Sequence, residues 1–206
     1  MSVAAHAVGH EEHEHEHHGP PEANRSSRVE PATLGMLLFI CSEIMIFGAF
    51  FTAYFFIRVV GHAPWPAHGD ELPKLVAGFN TFILISSSFT IHFAQESIKR
   101  DNRLGLKLGM VATWLLGVTF LFIQINEYWH IGFSPQDHAQ GTIFYGLTGL
   151  HGAHVCVGIM LLTMVTVRAF RGHYSAEAHR GMEVPGIYWH FVDVMWIIVY
   201  TTVYFL

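Results

Sequence analysis

The chain has 206 residues, of which 51% are hydrophobic and only 13% are charged, and its formal net charge is -5. This composition is too apolar for an ordinary water-soluble domain of that length and predicts a membrane protein. No phosphate-binding loop, nucleophile triad, CxxC pair or nucleic-acid-binding surface is recognisable, so the sequence gives little support for catalysis by this chain alone.

Residues 1–30 form a polar tail rich in histidine and glutamate, a composition that predicts disorder. The tail has no apolar stretch long enough for a signal peptide, so we expect the first membrane span to be retained. Clustered imidazoles and carboxylates can hold a transition metal loosely, but their spacing lacks the geometry of a structural or catalytic site. The histidines with this weak metal-binding potential are His13, His15, His17 and His18.

Five apolar segments are each long enough to cross a hydrocarbon core of roughly 30 Å. They cover residues 34–59, 75–96, 104–127, 142–167 and 186–206. The sequence therefore predicts an all-α membrane protein in which residues 31–206 form a bundle of five transmembrane helices.

The distribution of basic residues predicts the orientation, because Lys and Arg accumulate in short loops on the inner side. Nine of the eleven lie in the tail and in alternate loops, namely Arg25, Arg28, Lys99, Arg100, Arg103, Lys107, Arg168, Arg171 and Arg180. Only Arg58 and Lys74 lie on the other side. We therefore expect the N-terminus inside and the C-terminus outside.

Small residues recur every four positions in the third span, at Gly105, Gly109, Thr113 and Gly117. This spacing predicts a helix face on which a neighbouring backbone approaches closely. The fourth span has a second glycine-rich patch in "GLTGLHGAHVCVG", which would admit another helix or a lipid chain.

Ionisable residues at membrane depth are functional candidates by default. Glu43 lies in "CSEIMIFGAFF" with no basic residue nearer in sequence than Arg58. Counted from the inner helix ends, Glu43, His154 and Asp193 lie at similar depths, so we expect that they can meet. Glu43 is interpreted either as a protonated carboxyl held within the bundle or as a proton-exchanging or lipid-contacting site.

The remaining polar residues favour structural interpretations. His151 and His154 share a helix face at i, i+3, which suits a metal in principle but is equally explained by hydrogen bonds. A b-type haem would need two axial histidines on facing helices. The available histidines lie at different depths in the membrane, which argues against such a site. His92, His190 and Glu127 lie near helix ends, where anchoring at the membrane interface is the simpler interpretation.

Three motifs occur in order along the chain: "SE" within "LGMLLFICSEIMIFGAFFTAYFF", then "HGAHV", then "YWHFVD" at the start of "YWHFVDVMWIIVYTTVYFL". Together they resemble subunit III of the haem-copper cytochrome c oxidases, from about residue 34 onward. Long members of that family have seven helices, whereas this chain begins at the third and resembles the five-helix bacterial form. The resemblance therefore does not imply the lipid cleft that the two additional helices help to form in long members.

The resemblance implies a multi-pass subunit of the bacterial plasma membrane that binds neither haem nor copper and docks on subunit I of an aa3-type oxidase. Electrons from cytochrome c would pass through subunit II to the haem and copper of subunit I. This chain would be non-catalytic and would support proton uptake, phospholipid binding and the stability of subunit I, within a complex that can join a larger respiratory supercomplex. The residues implied are the buried acid Glu43, its possible polar partners His154, Asp193, His151 and His190, and the lipid headgroup contacts Arg168, Arg171 and His179.

Two alternatives remain open at the level of sequence. Third subunits of quinol oxidases and nitric oxide reductase-type complexes carry similar motifs in the last helix, so the electron donor is not fixed. A metal-ion carrier that uses the histidine-rich tail and the intramembrane His and Glu residues is a different class of function.

Overall fold

The computed structural model describes residues 30–61, 72–175 and 180–206. In these ranges the chain is all-helical, with five long helices: α1 (Pro31–Phe55), α2 (Lys74–Lys99), α3 (Arg103–His130), α4 (Ala139–Phe170) and α5 (Glu183–Tyr204). A π-helical turn, Phe56–Val60, continues α1, and a short 3-10 turn, Arg180–Met182, precedes α5. Each helix is long and apolar enough to cross a membrane. The predicted five-helix fold is confirmed, while its orientation stays a prediction.

Tight turns and local caps determine where the helices end. Between α2 and α3, Asp101 adopts a left-handed conformation with φ of 53°, and Asn102 accepts a hydrogen bond from the backbone N–H of Gly105 at 3.0 Å. At the start of α4, His138 Nδ1 accepts from the N–H of Gly141 at 2.7 Å. These caps satisfy backbone donors that a helix start leaves unpaired. The short α2–α3 turn makes these two helices antiparallel neighbours.

The small-residue stripe of α3 packs against α2, as the sequence predicts. A side chain added at Gly109 would place its Cβ 2.8 Å from the Cβ of Ala94, so only glycine permits this approach. One turn further along, the hydroxyls of Thr90 and Thr113 are hydrogen-bonded at 2.8 Å. In a lipid environment the hydrophobic effect does not drive helices together. Close packing and polar contacts of this kind therefore hold α2 and α3 together.

Helix α5 occupies the centre of the bundle and carries its largest buried side chains. The indole of Trp189 fits between α3 and α4, where a Cβ at Gly117 or Gly158 would clash with its ring. Its Nε1 donates to Ser87 Oγ of α2 at 2.9 Å, and Trp196 Nε1 donates to Thr81 Oγ1 at the same distance. The two indoles thus join α5 to its neighbours by both shape and hydrogen bonding.

Helix α1 is the most exposed of the five. Only Phe47 and Tyr54 are fully buried along it. The hydroxyl of Tyr54 donates to the carbonyl oxygen of Thr202 at 2.8 Å, and Arg58 Nη1 donates to that hydroxyl at 2.6 Å. A few anchor points therefore hold α1 on α4 and α5, and many of its large apolar side chains remain exposed.

Candidate functional site

Glu43 has a partner across the bundle. Its Oε2 lies 2.8 Å from Nε2 of His154 on α4. The two side chains are 12% and 11% exposed, respectively, so both are largely removed from solvent. The structure therefore brings together two of the three residues that depth alone predicted to meet.

The second ring nitrogen of His154 determines how this pair can hold a proton. Nδ1 lies 2.8 Å from the carbonyl oxygen of Leu150, which can only accept, so Nδ1 carries a hydrogen. A single further proton then lies between Nε2 and the Glu43 carboxyl, and either group can hold it. In both arrangements the pair has no net charge, which avoids the large penalty of an isolated ion in an apolar medium.

Aromatic side chains from α1 and α5 pack around the imidazole of His154. The ring of Phe47 lies 5.1 Å from that of His154, and the ring of Phe191 lies 6.4 Å from it. The hydroxyl of Tyr188 donates to the backbone carbonyl of His154 at 3.2 Å. The pair is thus fixed by α1, α4 and α5 together.

Asp193 does not join Glu43 and His154, so that part of the depth prediction is wrong. Its Oδ2 accepts a hydrogen bond from the hydroxyl of Ser88 on α2. Since the single hydroxyl proton of Ser88 is used there, Ser88 Oγ accepts from Nδ1 of His190, 3.2 Å away. Asp193 is 4% exposed, and its Oδ1 has no hydrogen-bond partner among the described residues. Similar depth did not bring the three together because Asp193 faces α2.

His151 and His154, which share a helix face, are not arranged to bind a metal ion. His151 is fully buried beside the rings of Trp196 and Phe120, at 4.7 and 5.7 Å, and neither ring nitrogen makes a hydrogen bond. Both nitrogens of His154 are already used. Within the described ranges, no three His, Cys, Asp or Glu side chains lie close enough to hold a metal ion.

Glu127 is buried, at 4% exposure, and is not an interfacial anchor as its position near a helix end suggested. The hydroxyl of Tyr204 donates to its Oε1 at 2.6 Å. The last turn of α5 covers it, which sequence position on α3 could not reveal. His190, the second of the proposed anchors, is half-buried beside Ser88, whereas His92 is exposed.

The proposed headgroup contacts lie at the end of α4. Arg168 and Arg171 are exposed, and the Arg168 guanidinium lies 5.7 Å from the ring centre of Tyr174. Burial raises the pKa of Tyr174, and the nearby Arg168 charge partly offsets this increase. His179 and the tail residues His13, His15, His17 and His18 lie outside the described residues.

Sequence reasoning missed Ser88 and Tyr204, which hold the two other buried acids. Ser88 lies eleven residues before the end of α2 at Lys99, and Asp193 lies ten residues after the start of α5 at Glu183. Since these helix ends lie on the same predicted side, the depth comparison used for charged residues would have found Ser88 had it included hydroxyls. Tyr204 left no comparable signal, because a Tyr near a helix end is ordinarily an interfacial anchor.

Comparison with known proteins identifies the family. A family model described as cytochrome c oxidase subunit III matches residues 22–206. Cytochrome c oxidase subunit 3 of Thermostichus vulcanus is 43% identical over 174 residues, covering 84% of this chain and 86% of the relative. The subunit 3 of Synechocystis sp. is 40% identical over 93% of this chain and 79% of its own length, and that of Oryctolagus cuniculus is 35% identical over 82% and 67%. This multi-pass membrane chain therefore belongs to the cytochrome c oxidase subunit III family.

Proposed function

We propose that this chain is the non-redox subunit III of an aa3-type cytochrome c oxidase in a bacterial plasma membrane. It docks on subunit I, supports proton uptake and phospholipid binding, and keeps subunit I stable during turnover. The oxidase as a whole oxidises cytochrome c and reduces oxygen, whereas this chain contributes no redox centre. Two close relatives from Thermostichus and Synechocystis, both named as cytochrome c oxidase subunits, support the assignment of the complex.

The proposed role in proton uptake rests on the hydrogen bond of 2.8 Å between Glu43 and His154. A carboxyl and an imidazole that share one proton can hold it on either group without creating net charge in the membrane. Their location between the exposed helix α1 and the inner helices places them near a surface that a partner subunit can cover. The pair is therefore suited to hold a proton beside a catalytic subunit rather than to react itself.

Haem and copper are assigned to partner subunits I and II. The chemistry of the described residues supports this assignment, because His151 is enclosed by aromatic rings and His154 is fully hydrogen-bonded. The isolated chain should therefore show no haem Soret band. The appearance of such a band with stoichiometric haem would overturn the non-redox assignment.

The electron donor is tested on the purified complex. We expect rapid oxygen consumption with reduced cytochrome c and slow consumption with a quinol as the only donor. The opposite preference would assign the chain to a quinol oxidase within the same fold. A complex that turns over nitric oxide and not oxygen would assign it to a nitric oxide reductase-type assembly.

The role of the pair is tested with Glu43→Gln, which removes the exchangeable carboxyl proton but keeps shape and hydrogen-bonding capacity. We expect normal subunit content, together with slower proton uptake and faster loss of activity during turnover. Glu96→Gln is a suitable control, since Glu96 is an acid on α2 that pairs with Arg100 at the helix end. If Glu43→Gln and Glu96→Gln behave alike in both measurements, Glu43 is purely structural.

Lipid binding is proposed for the cationic end of α4, where Arg168 and Arg171 are exposed. Guanidinium groups at a membrane surface attract anionic headgroups by about 1 kcal/mol each. The double change Arg168→Gln with Arg171→Gln should lower the amount of anionic phospholipid that copurifies with the complex, measured by mass spectrometry of extracted lipid. An unchanged lipid content would contradict this assignment.

A further inference from the structure

A cavity of about 260 to 270 Å³ opens at each end of the bundle between α2 and a neighbouring helix, and the one at the start of α2 holds an unusual acid. This cavity has a volume of ≈ 270 Å³ and lies between the first turn of α2 and the last turn of α3. Its lining residues are Pro73, Val76, Asn126, Glu127, His130 and Ile131. All its ionisable side chains come from α3.

Glu127 is a buried carboxyl that pairs with no cation in the described part of the chain. Its Oε1 accepts from Tyr204 at 2.6 Å, which fixes the carboxyl and leaves this oxygen a second lone pair. Its Oε2 makes no hydrogen bond. Lys74 begins α2, but its Nζ lies over the ring of Phe205, 5.9 Å from the ring centre. The acid therefore retains acceptor capacity beside a cavity.

His130 presents one ring nitrogen for further interaction. Its Nδ1 lies 2.8 Å from the carbonyl oxygen of Asn126, so Nδ1 carries the hydrogen and Nε2 retains its lone pair. A histidine that donates one N–H to a backbone carbonyl has the arrangement found for most metal-binding imidazoles. His130 is exposed at the end of α3, so the bundle itself does not enclose its ring.

The spacing of the two residues places them on one helix face. Glu127 and His130 are separated by three positions, a Glu-x-x-His arrangement in which the two side chains are neighbours. Asn126, four positions before His130, adds an amide oxygen on the adjoining part of that face. The helix C-terminus also carries partial negative charge, which favours a cation there.

We propose that Glu127 and His130 bind a divalent transition-metal ion of the Zn²⁺ class at this cavity. The Glu127 carboxylate and His130 Nε2 are the protein ligands, and the Asn126 amide oxygen and water complete the coordination. The hydrogen bond from Tyr204 orients the Glu127 carboxylate, and the hydrogen bond to the Asn126 carbonyl orients the His130 ring. Having two strong protein ligands, the site is open and exchangeable, and it is separate from the proposed proton function of Glu43.

The test follows chemical modification of His130 in the assembled oxidase with its full-length chain. Diethyl pyrocarbonate modifies free imidazole nitrogen, and peptide mass spectrometry reads His130 separately from the histidine-rich tail. Micromolar Zn²⁺ should protect His130 at least tenfold, whereas Mg²⁺ at the same concentration should not, because it prefers oxygen ligands.

Glu127→Gln supplies the matched variant, since its amide oxygen still accepts from Tyr204. It should shift the Zn²⁺ concentration for half-protection upward by at least tenfold. Asp137→Asn removes a carboxylate of the neighbouring loop that accepts from Ser134 N–H, and it should leave protection unchanged. Equal protection in Glu127→Gln and the unmodified chain would overturn the proposal. If that variant does not assemble, failure of Zn²⁺ to protect His130 in the unmodified oxidase overturns it alone.

Discussion

Two buried acids, Glu43 and Asp193, lie in the same bundle but are held in different ways. Glu43 on α1 is hydrogen-bonded to the imidazole of His154 on α4. Asp193 on α5 accepts from the hydroxyl of Ser88, a group that neither takes up nor releases protons near neutral pH. The first acid has a basic partner and the second has only a donor. Burial alone therefore does not distinguish the two acids, whereas the chemistry of the hydrogen-bond partner does.

The two helices that carry these acids also differ in how deeply they are buried in the bundle. α5 is central and packs around its two buried indoles, whereas α1 is held by few contacts and exposes most of its apolar surface. Asp193 on α5 therefore lies in the packed core, whereas Glu43 on α1 lies close to an exposed apolar surface. The following predictions separate these two roles, from the largest expected effect to the smallest.

Replacing His154 by Leu should give the largest loss of stability. It leaves the Glu43 carboxyl without its partner, and a largely buried polar group that loses its hydrogen bond lowers the free energy of unfolding by about 2 to 3 kcal/mol. The measurement is the thermal midpoint of the purified complex and the amount of this chain retained in it. His151→Leu is the control on the same helix, since His151 makes no hydrogen bond to lose. Equal losses in the two variants would show that packing, and not the pair, is responsible.

Replacing Ser88 by Ala should have an intermediate effect. It leaves Asp193 without its hydroxyl donor, and an unsatisfied buried group lowers stability by about 1 to 2 kcal/mol. Ser86→Ala is the matched control, because the hydroxyl of Ser86 donates only to the carbonyl of Phe82 in its own helix. The thermal midpoint should fall for Ser88→Ala and remain unchanged for Ser86→Ala. A fall in both would indicate a general effect of serine loss in α2.

Replacing Glu43 by Gln should have the smallest effect on stability, below about 1 kcal/mol, because the amide still forms a hydrogen bond with His154. Its effect should appear instead in infrared difference spectra of the complex, as loss of a carboxyl band. If that band persists in Glu43→Gln but disappears in Asp193→Asn, the assignment of the two acids must be exchanged.

Much of the fold was predictable because long apolar segments in a membrane have few options. A segment in lipid must satisfy its backbone hydrogen bonds internally, so each apolar stretch becomes a helix. The predicted spans are shorter than the helices by a few residues at most ends, as with 104–127 against Arg103–His130. Polar residues at the ends, such as Tyr128, extend helices beyond the apolar run. The α2–α3 contact was also predictable, since glycines at fixed spacing mark close approach.

The candidate site was predictable only in part. Counting residues from the inner helix ends correctly placed Glu43 near His154, but it also placed Asp193 with them. The position of Glu127 near a helix end suggested an interfacial anchor, whereas the side chain is buried. Depth fixes one coordinate along the membrane normal and does not fix the direction in which a side chain points. Rotation of α5 turns Asp193 toward Ser88, and the position of Tyr204 determines the burial of Glu127.

By itself, the sequence determined that the chain crosses the membrane as five helices and that its motifs resemble one family of oxidase subunits, because apolar length and motif order are properties of the chain. Tertiary structure decided which acid meets a base, which meets a hydroxyl and which lies beside a cavity with an imidazole. The physical reason is that hydrogen bonds act over about 3 Å, a precision that helix rotation and packing supply and residue spacing does not.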